Sequence, residues 1–409
     1  MDNLQRRANE PHVRGLMSSA IALHRDGRLA EAEAKYRSAL EMVPGHFDAL
    51  HNLAVLCLQR NDPVGALDFL RRASAINPAS ATLHLNIGNA FRAAGDNRQA
   101  LDSYDRALRL NPDFAEAHNN RATVLRTLGR EDEAIASADR AVALNPRYRE
   151  AHLNRAHALD TGKRYEEAIV SYRNAASCGA DPEEVAYYLA ALGAAPLPAA
   201  SPRSYVAGLF DGYAENFDQS LLGLGYDVPR QLAAAVVALR PNGVSDVADV
   251  GCGTGLSGAA LRAISSRLVG ADLSAKMLAK AQQRGVYDRL AQAELVEFLR
   301  VSPQSWDLIV AADVLIYMGD LEPVFAAARS ALHSTGLFAY SVEAHDTQSQ
   351  EGDGYVIRPT RRFAHSLDYL RGVAARHGFT ERSVLPMTVR SEAGRGIPGY
   401  VVVVETSGA

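Results

Sequence analysis

The sequence predicts two unlike domains in one chain: an all-α solenoid of stacked helical hairpins, then an α/β doubly wound parallel sheet. Three observations carry this. Alanine crowds the first half of the 409 residues and glycine clusters after about residue 205, a shift that one architecture does not usually produce. Columns of residues recur every 34 positions through the first half. Beyond them, short apolar runs alternate with amphipathic stretches, as when helices cross over a parallel sheet.

Length and composition set the frame. At about 150 residues per domain the chain holds two or three domains. Hydrophobic residues are 47% and charged residues 22%, enough to bury sizeable cores, which excludes wholesale disorder and fibrous classes. A net charge of −4 argues against nucleic acid or an acidic membrane as a bulk partner. Cys57, Cys178 and Cys252 lie far apart with no CxxC, which fits a reducing compartment and no zinc site. No other spacing suggests a metal. The start, MDNLQRRANEPHVRG, lacks an apolar signal core, and the apolar stretch at residues 233–239 is too short to span a bilayer. The expected location is cytoplasmic, with no membrane segment.

The repeats come first. Pro44, Pro78, Pro112 and Pro146 are each 34 residues apart. The same step links Ala32, Ala66, Ala100, Ala134 and Ala168, and also Ala39, Ala73, Ala107, Ala141 and Ala175. A bulkier column runs Tyr36, Leu70, Tyr104, Ala138, Tyr172. Each unit reads as two antiparallel helices. Alanines let the helices approach, the Tyr or Leu fills the space beside them, and the proline ends the second helix. Gly27, Gly95, Gly129 and Gly162 mark the inner turns, with Asn61-Asp62-Pro63 in the second unit. No unit buries its face alone, so neighbours stack.

This pattern resembles the tetratricopeptide repeat, in about five copies over residues 10–182, with residues 182–192 read as a capping helix that closes a domain at residue 193. The resemblance places a further column, Asn52, Asn86, Asn120 and Asn154, on the inner groove. Such a ladder can bond an extended peptide backbone irrespective of its side chains, as in the similar asparagine ladder of the O-GlcNAc transferase superhelix; the alternative is local bonding only. Arg92 and Arg126 either add charge on that face or are solvated surface. His118 and His152 fall on repeat helices as groove or surface residues rather than metal ligands.

Residues 194–204 carry three prolines among small residues and read as a semi-rigid linker. In the domain expected over residues 205–409, the key segment is VSDVADVGCGTG, residues 244–255. A strand ends at Asp249-Val250, Gly251, Gly253 and Gly255 form a turn, and a helix begins near Leu256. A second strand ends at Asp272, 21 residues after Gly251, a distance that suits a carboxylate accepting ribose hydroxyls. The spacing is GxGxG, not the GxGxxG of nicotinamide-binding folds.

DVGCGTG followed by GADLSAKMLAKAQQRG resembles class I S-adenosylmethionine-dependent methyltransferases, and later segments match in order. The resemblance implies a Rossmann-like, seven-stranded sheet with the last strand antiparallel. It implies a fourth strand within residues 306–317, a fifth at 336–343, a helix at 363–377, and final strands at 380–389 and 399–405. It implies S-adenosylmethionine as cofactor, held by Asp249, Gly251, Cys252, Gly253, Thr254, Gly255, Asp272 and Glu294. Leu273 and Met277 either line the adenine or are core. Residues 205–218 resemble the lid of such enzymes. Tyr213, Asp313, Tyr317 and Glu343 are candidates for a catalytic base, needed only if the acceptor arrives protonated. Arg358, Arg361, Arg362 and His365 are expected to meet an acidic substrate.

The expected function is methyl transfer, with the repeats recruiting a protein or peptide. The alternatives are a small-molecule methyltransferase whose repeats mediate assembly, and a repeat scaffold that binds the cofactor without turnover.

Overall fold

The structure, a computed structural model, describes residues 3–222, 225–345, 354–392 and 394–407. By its contacts the chain divides into two compact units that meet between Val185 and Ala186.

The first unit is helical: α1 (Asn3–Arg25), α2 (Leu29–Met42), α3 (Phe47–Gln59), α4 (Pro63–Ile76), α5 (Ala81–Ala93), α6 (Asn97–Leu110), α7 (Ala115–Thr127), α8 (Glu131–Leu144), α9 (Arg149–Thr161) and α10 (Tyr165–Ser177). Each odd helix packs on the next even one, and α3, α5, α7 and α9 also touch in series. Both alanine columns and the Tyr/Leu/Ala column are wholly buried, so the spacing seen in the sequence is the packing seam. At α4 and α6 the helix start is capped by a side chain: Asp62 accepts from Gly65 N (2.9 Å) and Asp96 from Gln99 N (3.1 Å). His84, His118 and His152 each bond the carbonyl of the proline six residues earlier at 2.9 Å, which gives these histidines a structural role. The inner turns need one left-handed residue per repeat, at Gly27, Asn61, Gly95, Gly129 and Lys163. Gly162, expected at the fifth turn, has φ −74 instead, and Lys163 takes the strained position.

Helix α11 (Pro182–Ala191) spans the division between the units. The expected spacer is tied down at its far end within the second unit: Gly319 N and Asp320 N donate to Ala199 O (2.8 and 2.9 Å), and Ser201 N donates to Tyr317 O (2.8 Å).

The second unit opens with α12 (Arg203–Tyr213), α13 (Phe217–Leu222) and α14 (Val228–Leu239). Then come β1 (Val244–Val250), α15 (Leu256–Leu261), β2 (Ser265–Asp272), α16 (Ala275–Arg284), β3 (Arg289–Gln292), α17 (Leu295–Arg300), β4 (Trp306–Ala311) and α18 (Glu322–Ala331). The chain closes with β5 (Leu332–Ala344), β6 (Tyr355–Ile357), β7 (Phe363–His365), α19 (Leu367–Arg376), β8 (Phe379–Glu392) and β9 (Arg395–Thr406). Strands β3-β2-β1-β4-β5 are parallel, β9 adds antiparallel to β5, and β8 pairs with β9. Those are the seven strands expected. Among the described residues the sheet has nine, because β6 and β7 form a short hairpin whose β7 pairs with the end of β5. The hairpin corrects the helix expected at residues 363–377: its first three residues are strand, and Ser366 caps the true helix by accepting from Tyr369 N (3.2 Å).

Alternation along the strands builds two cores. Ala248, Val250, Ile309 and Phe338 face α17, α18 and α19, while Val247, Leu308, Val310 and Leu337 face α14. Burial on both faces is what makes these strands almost continuously apolar. Reversal of strand order beside β1 leaves a crevice at its carboxyl end.

Candidate active site

The expected cofactor residues converge at that crevice. Gly251 N and Cys252 N both bond Ala271 O (2.7 and 3.0 Å), which folds the glycine turn onto the end of β2. Asp272 receives Gly253 N on one oxygen (2.9 Å) and Ser274 N on the other (2.8 Å). Burial raises its pKa, against the pull of those backbone donors. The glycines are small for different reasons. A Cβ on Gly253 would meet only open space, so that backbone is bare to an incoming group. A Cβ on Gly251 would strike Val314, and one on Gly255 would press on Tyr287 at 3.0 Å.

Asp249 lies wholly buried beneath the turn. Its Oδ2 accepts from the Tyr287 hydroxyl at 2.6 Å, and no described residue bonds Oδ1. Burial raises its pKa to about 7, opposed by the Tyr287 hydrogen bond. The Cys252 thiol is pushed far up by burial, which makes it a filler and not a nucleophile. Met277 is wholly buried in the first turn of α16 and is a core side chain, whereas Leu273 is half-buried. Glu294 caps α17, accepting from Val296 N (3.1 Å) and Glu297 N (3.0 Å).

The expected lid is anchored at several points. Ser274 donates to Asp211 (2.5 Å), Thr254 donates to Asp218 (2.5 Å), Arg284 pairs with Asp218, and Lys280 pairs with Glu215 (2.6 Å). Asp211 and Asp218 sit in α12 and α13 and Glu215 in the turn between them, and only the fold shows which partners they meet.

The catalytic candidates separate. Asp313 follows β4 in a left-handed conformation, φ 54, rare for a residue with a side chain. Burial raises its pKa, while Ser341 and then Arg390 oppose the shift. Tyr317 is buried, with its ring edge-on to Phe210 at 5.5 Å. Tyr213 is 54% exposed. Glu343 has both its oxygens engaged, one by Arg358 Nη1 (2.8 Å) and the other by Arg390, at 1% exposure.

Two of the expected substrate contacts have partners within the fold. Arg358 is spent on Glu343 and the Ala344 carbonyl (2.6 Å). His365 is wholly buried in β7 against Gly319 O (3.1 Å), and burial lowers its pKa to about 4. Arg361 stacks its guanidinium on Tyr188 at 5.0 Å. Arg362 hydrogen-bonds Tyr317 and so remains beside the crevice.

In the first unit the asparagines bond sideways to the preceding repeat: Asn86 to His51 (2.7 Å), Asn120 to Asn89 (3.0 Å) and Asn154 to Asn119 (2.8 Å). All four, with Asn52, are half-buried. No group of three or more His, Cys, Asp and Glu stands ready for a metal among the described residues, and no described helix is long and apolar enough to cross a membrane.

The fold and the crevice define two modules, a repeat array and a methyltransferase domain. Comparison with known families agrees: residues 248–338 match the methyltransferase domain, and residues 23–87, 85–147 and 129–185 match the tetratricopeptide repeat. The chain therefore joins tetratricopeptide repeats to a methyltransferase domain. No curated protein matches the chain. Among solved structures, a thermophilic TPR protein of Thermus thermophilus is 25% identical, with 42% of this chain and 94% of that one covered and a TM-score of 0.37. The 1,6-didemethyltoxoflavin-N1-methyltransferase of Burkholderia thailandensis is 18% identical over 52% of this chain and 93% of its own, with a TM-score of 0.41. Magnesium protoporphyrin IX methyltransferase of Synechocystis is also 18% identical, over 52% and 99%, with a TM-score of 0.39.

Proposed function

We propose that the protein is an S-adenosylmethionine-dependent methyltransferase whose repeats recruit a protein or peptide bearing the acceptor. The observation that carries the reading is the pairing of bare Gly253 backbone with Asp272 at the crevice beside β1. The residues present suit that cofactor: an acid at the end of β2 for ribose hydroxyls, an open backbone turn, and a buried acid below it. When bound, the cofactor supplies an electrophilic methyl group on a sulfonium. The chain's own residues have the tasks of binding and alignment, which provide most of the acceleration. Asp272 orients the ribose, the anchored lid excludes water, and Asp313, with the Arg390 and Arg362 charges near it, offers a carboxylate to an incoming protonated acceptor. The half-buried asparagine column holds peptide backbone, and tethering raises the local concentration of a weakly held substrate.

The test is tritiated methyl transfer in a lysate lacking this protein, with label sorted into protein, nucleic acid and small-molecule pools. Label in protein, lost with Asp272→Ala and reduced on deletion of residues 1–185, is the expected result. Label in small molecules that survives the deletion would assign the repeats to assembly. Cofactor binding without transfer would assign the chain to scaffolding.

A further inference from the structure

Three glycines of the second unit make room for one side chain rather than for a ligand. A Cβ on Gly258 would run into the phenol ring and hydroxyl of Tyr287, one on Gly270 would stand 2.9 Å from that ring, and one on Gly255 would stand 3.0 Å from it. Gly255 lies in the turn, Gly258 on α15 and Gly270 inside β2, so the ring is wedged against three elements at once. The strap that carries it is fixed: Asp288 accepts Leu268 N (2.7 Å) and Arg262 Nη1 (2.9 Å), and its own N–H donates to Leu268 O (2.9 Å). Held there, the Tyr287 hydroxyl donates to Asp249 Oδ2 at 2.6 Å.

We propose that Tyr287 is a positioning residue of the cofactor site, holding Asp249 as an anion beneath the turn that receives the cationic end of the cofactor. This rests on the S-adenosylmethionine reading. Asp249 is wholly buried, so it acts on the bound sulfonium and ammonium through the turn and not by exposed contact. An anion there without a donor has a high desolvation cost, and the Tyr287 hydroxyl is the described donor that offsets it. The other ionisable groups around Asp249 do not supply a cation: Asp272 at the end of β2 adds negative charge, and the Cys252 thiol and the Tyr226 phenol stay neutral because burial raises both. Removing the hydroxyl therefore favours protonated Asp249 and weakens attraction for the cationic ligand.

The experiment is calorimetric titration of the full chain with S-adenosylmethionine from pH 6 to pH 9, for wild type, Tyr287→Phe, Asp249→Asn and the double variant. Phenylalanine keeps the wedge. Wild-type affinity falls as pH drops through about 7, where Asp249 takes up its proton. In Tyr287→Phe that fall moves up by about one pH unit, so binding is about fivefold weaker at pH 7, about ninefold weaker at pH 6 and nearly equal to wild type at pH 9. Asp249→Asn has a flat profile, and adding Tyr287→Phe to it changes nothing further. A Tyr287→Phe profile with the wild-type midpoint, or one lowered equally at every pH, overturns the proposal while leaving the cofactor reading intact. Absence of wild-type binding at every pH overturns both.

Discussion

Asp313 and Ser341 hold each other twice: the Ser341 hydroxyl donates to Asp313 Oδ1 at 2.8 Å, and the Asp313 backbone N–H donates to Ser341 Oγ at 2.8 Å. One buried hydroxyl from β5 thus fixes both the charge and the left-handed backbone of the acid after β4. Ser341→Ala leaves a buried N–H and a carboxylate oxygen short of a partner, so it destabilises the fold by about 1–3 kcal/mol. Urea unfolding checks this, and a change below about 0.5 kcal/mol would show that Asp313 needs no such support.

Glu343 sits between Arg358 and Arg390, with only 1% of its side chain exposed. Glu343→Ala leaves the buried Arg390 guanidinium without its carboxylate and costs about 3–5 kcal/mol. Arg358→Ala costs less, since that side chain is partly solvated at 27% exposure. Comparable unfolding midpoints for the two variants would contradict this ranking.

His365 is neutral inside the fold because burial lowers its pKa to about 4, whereas the unfolded chain binds its proton near 6.5. Its contribution to stability is complete above pH 6.5 and is lost as pH falls towards 4, with a slope of up to about 1.4 kcal/mol per pH unit. His365→Gln removes that slope. Stability measured by denaturant at several pH values between 4 and 7 should be flatter in the variant, and parallel curves would exclude His365 as the cause.

Lys163 takes the left-handed turn position, φ 60, that Gly27, Gly95 and Gly129 take in other repeats. Left-handed backbone costs a residue with a Cβ about 1 kcal/mol, partly offset by glycine's greater freedom when unfolded. Lys163→Gly therefore stabilises the repeat unit by about 0.5 kcal/mol, and Gly129→Ala destabilises it by about 1 kcal/mol. Thermal unfolding followed by circular dichroism reads both, and opposite signs would place the strain elsewhere.

The repeats were legible because helical packing has a fixed period: buried Ala66 and Ala100 differ only by one repeat of the array, and the chain must repeat what the seam repeats. The glycine turn and Asp272 were legible because a close backbone approach and a strand-end acid leave a local signature. The β6–β7 hairpin was not, because three-residue strands carry too little alternation to separate from a helix start. Nor were the fates of Glu343, Arg358 and His365, whose residue types suit chemistry as well as burial. Gly258 and Gly270 did carry a signal, small residues where a helix and a strand prefer larger ones, but nothing local to them points to Tyr287.

The sequence by itself determined the two architectures, the packing seam of the repeats and the composition of the glycine turn, all set by residues near one another or by strict period. Only the tertiary structure decided which charged groups were free. Asp249 with Tyr287, Asp313 with Ser341, and Glu343 with Arg358 and Arg390 are pairings across elements, and a charge's role depends on how far burial has removed it from water and what partner meets it there.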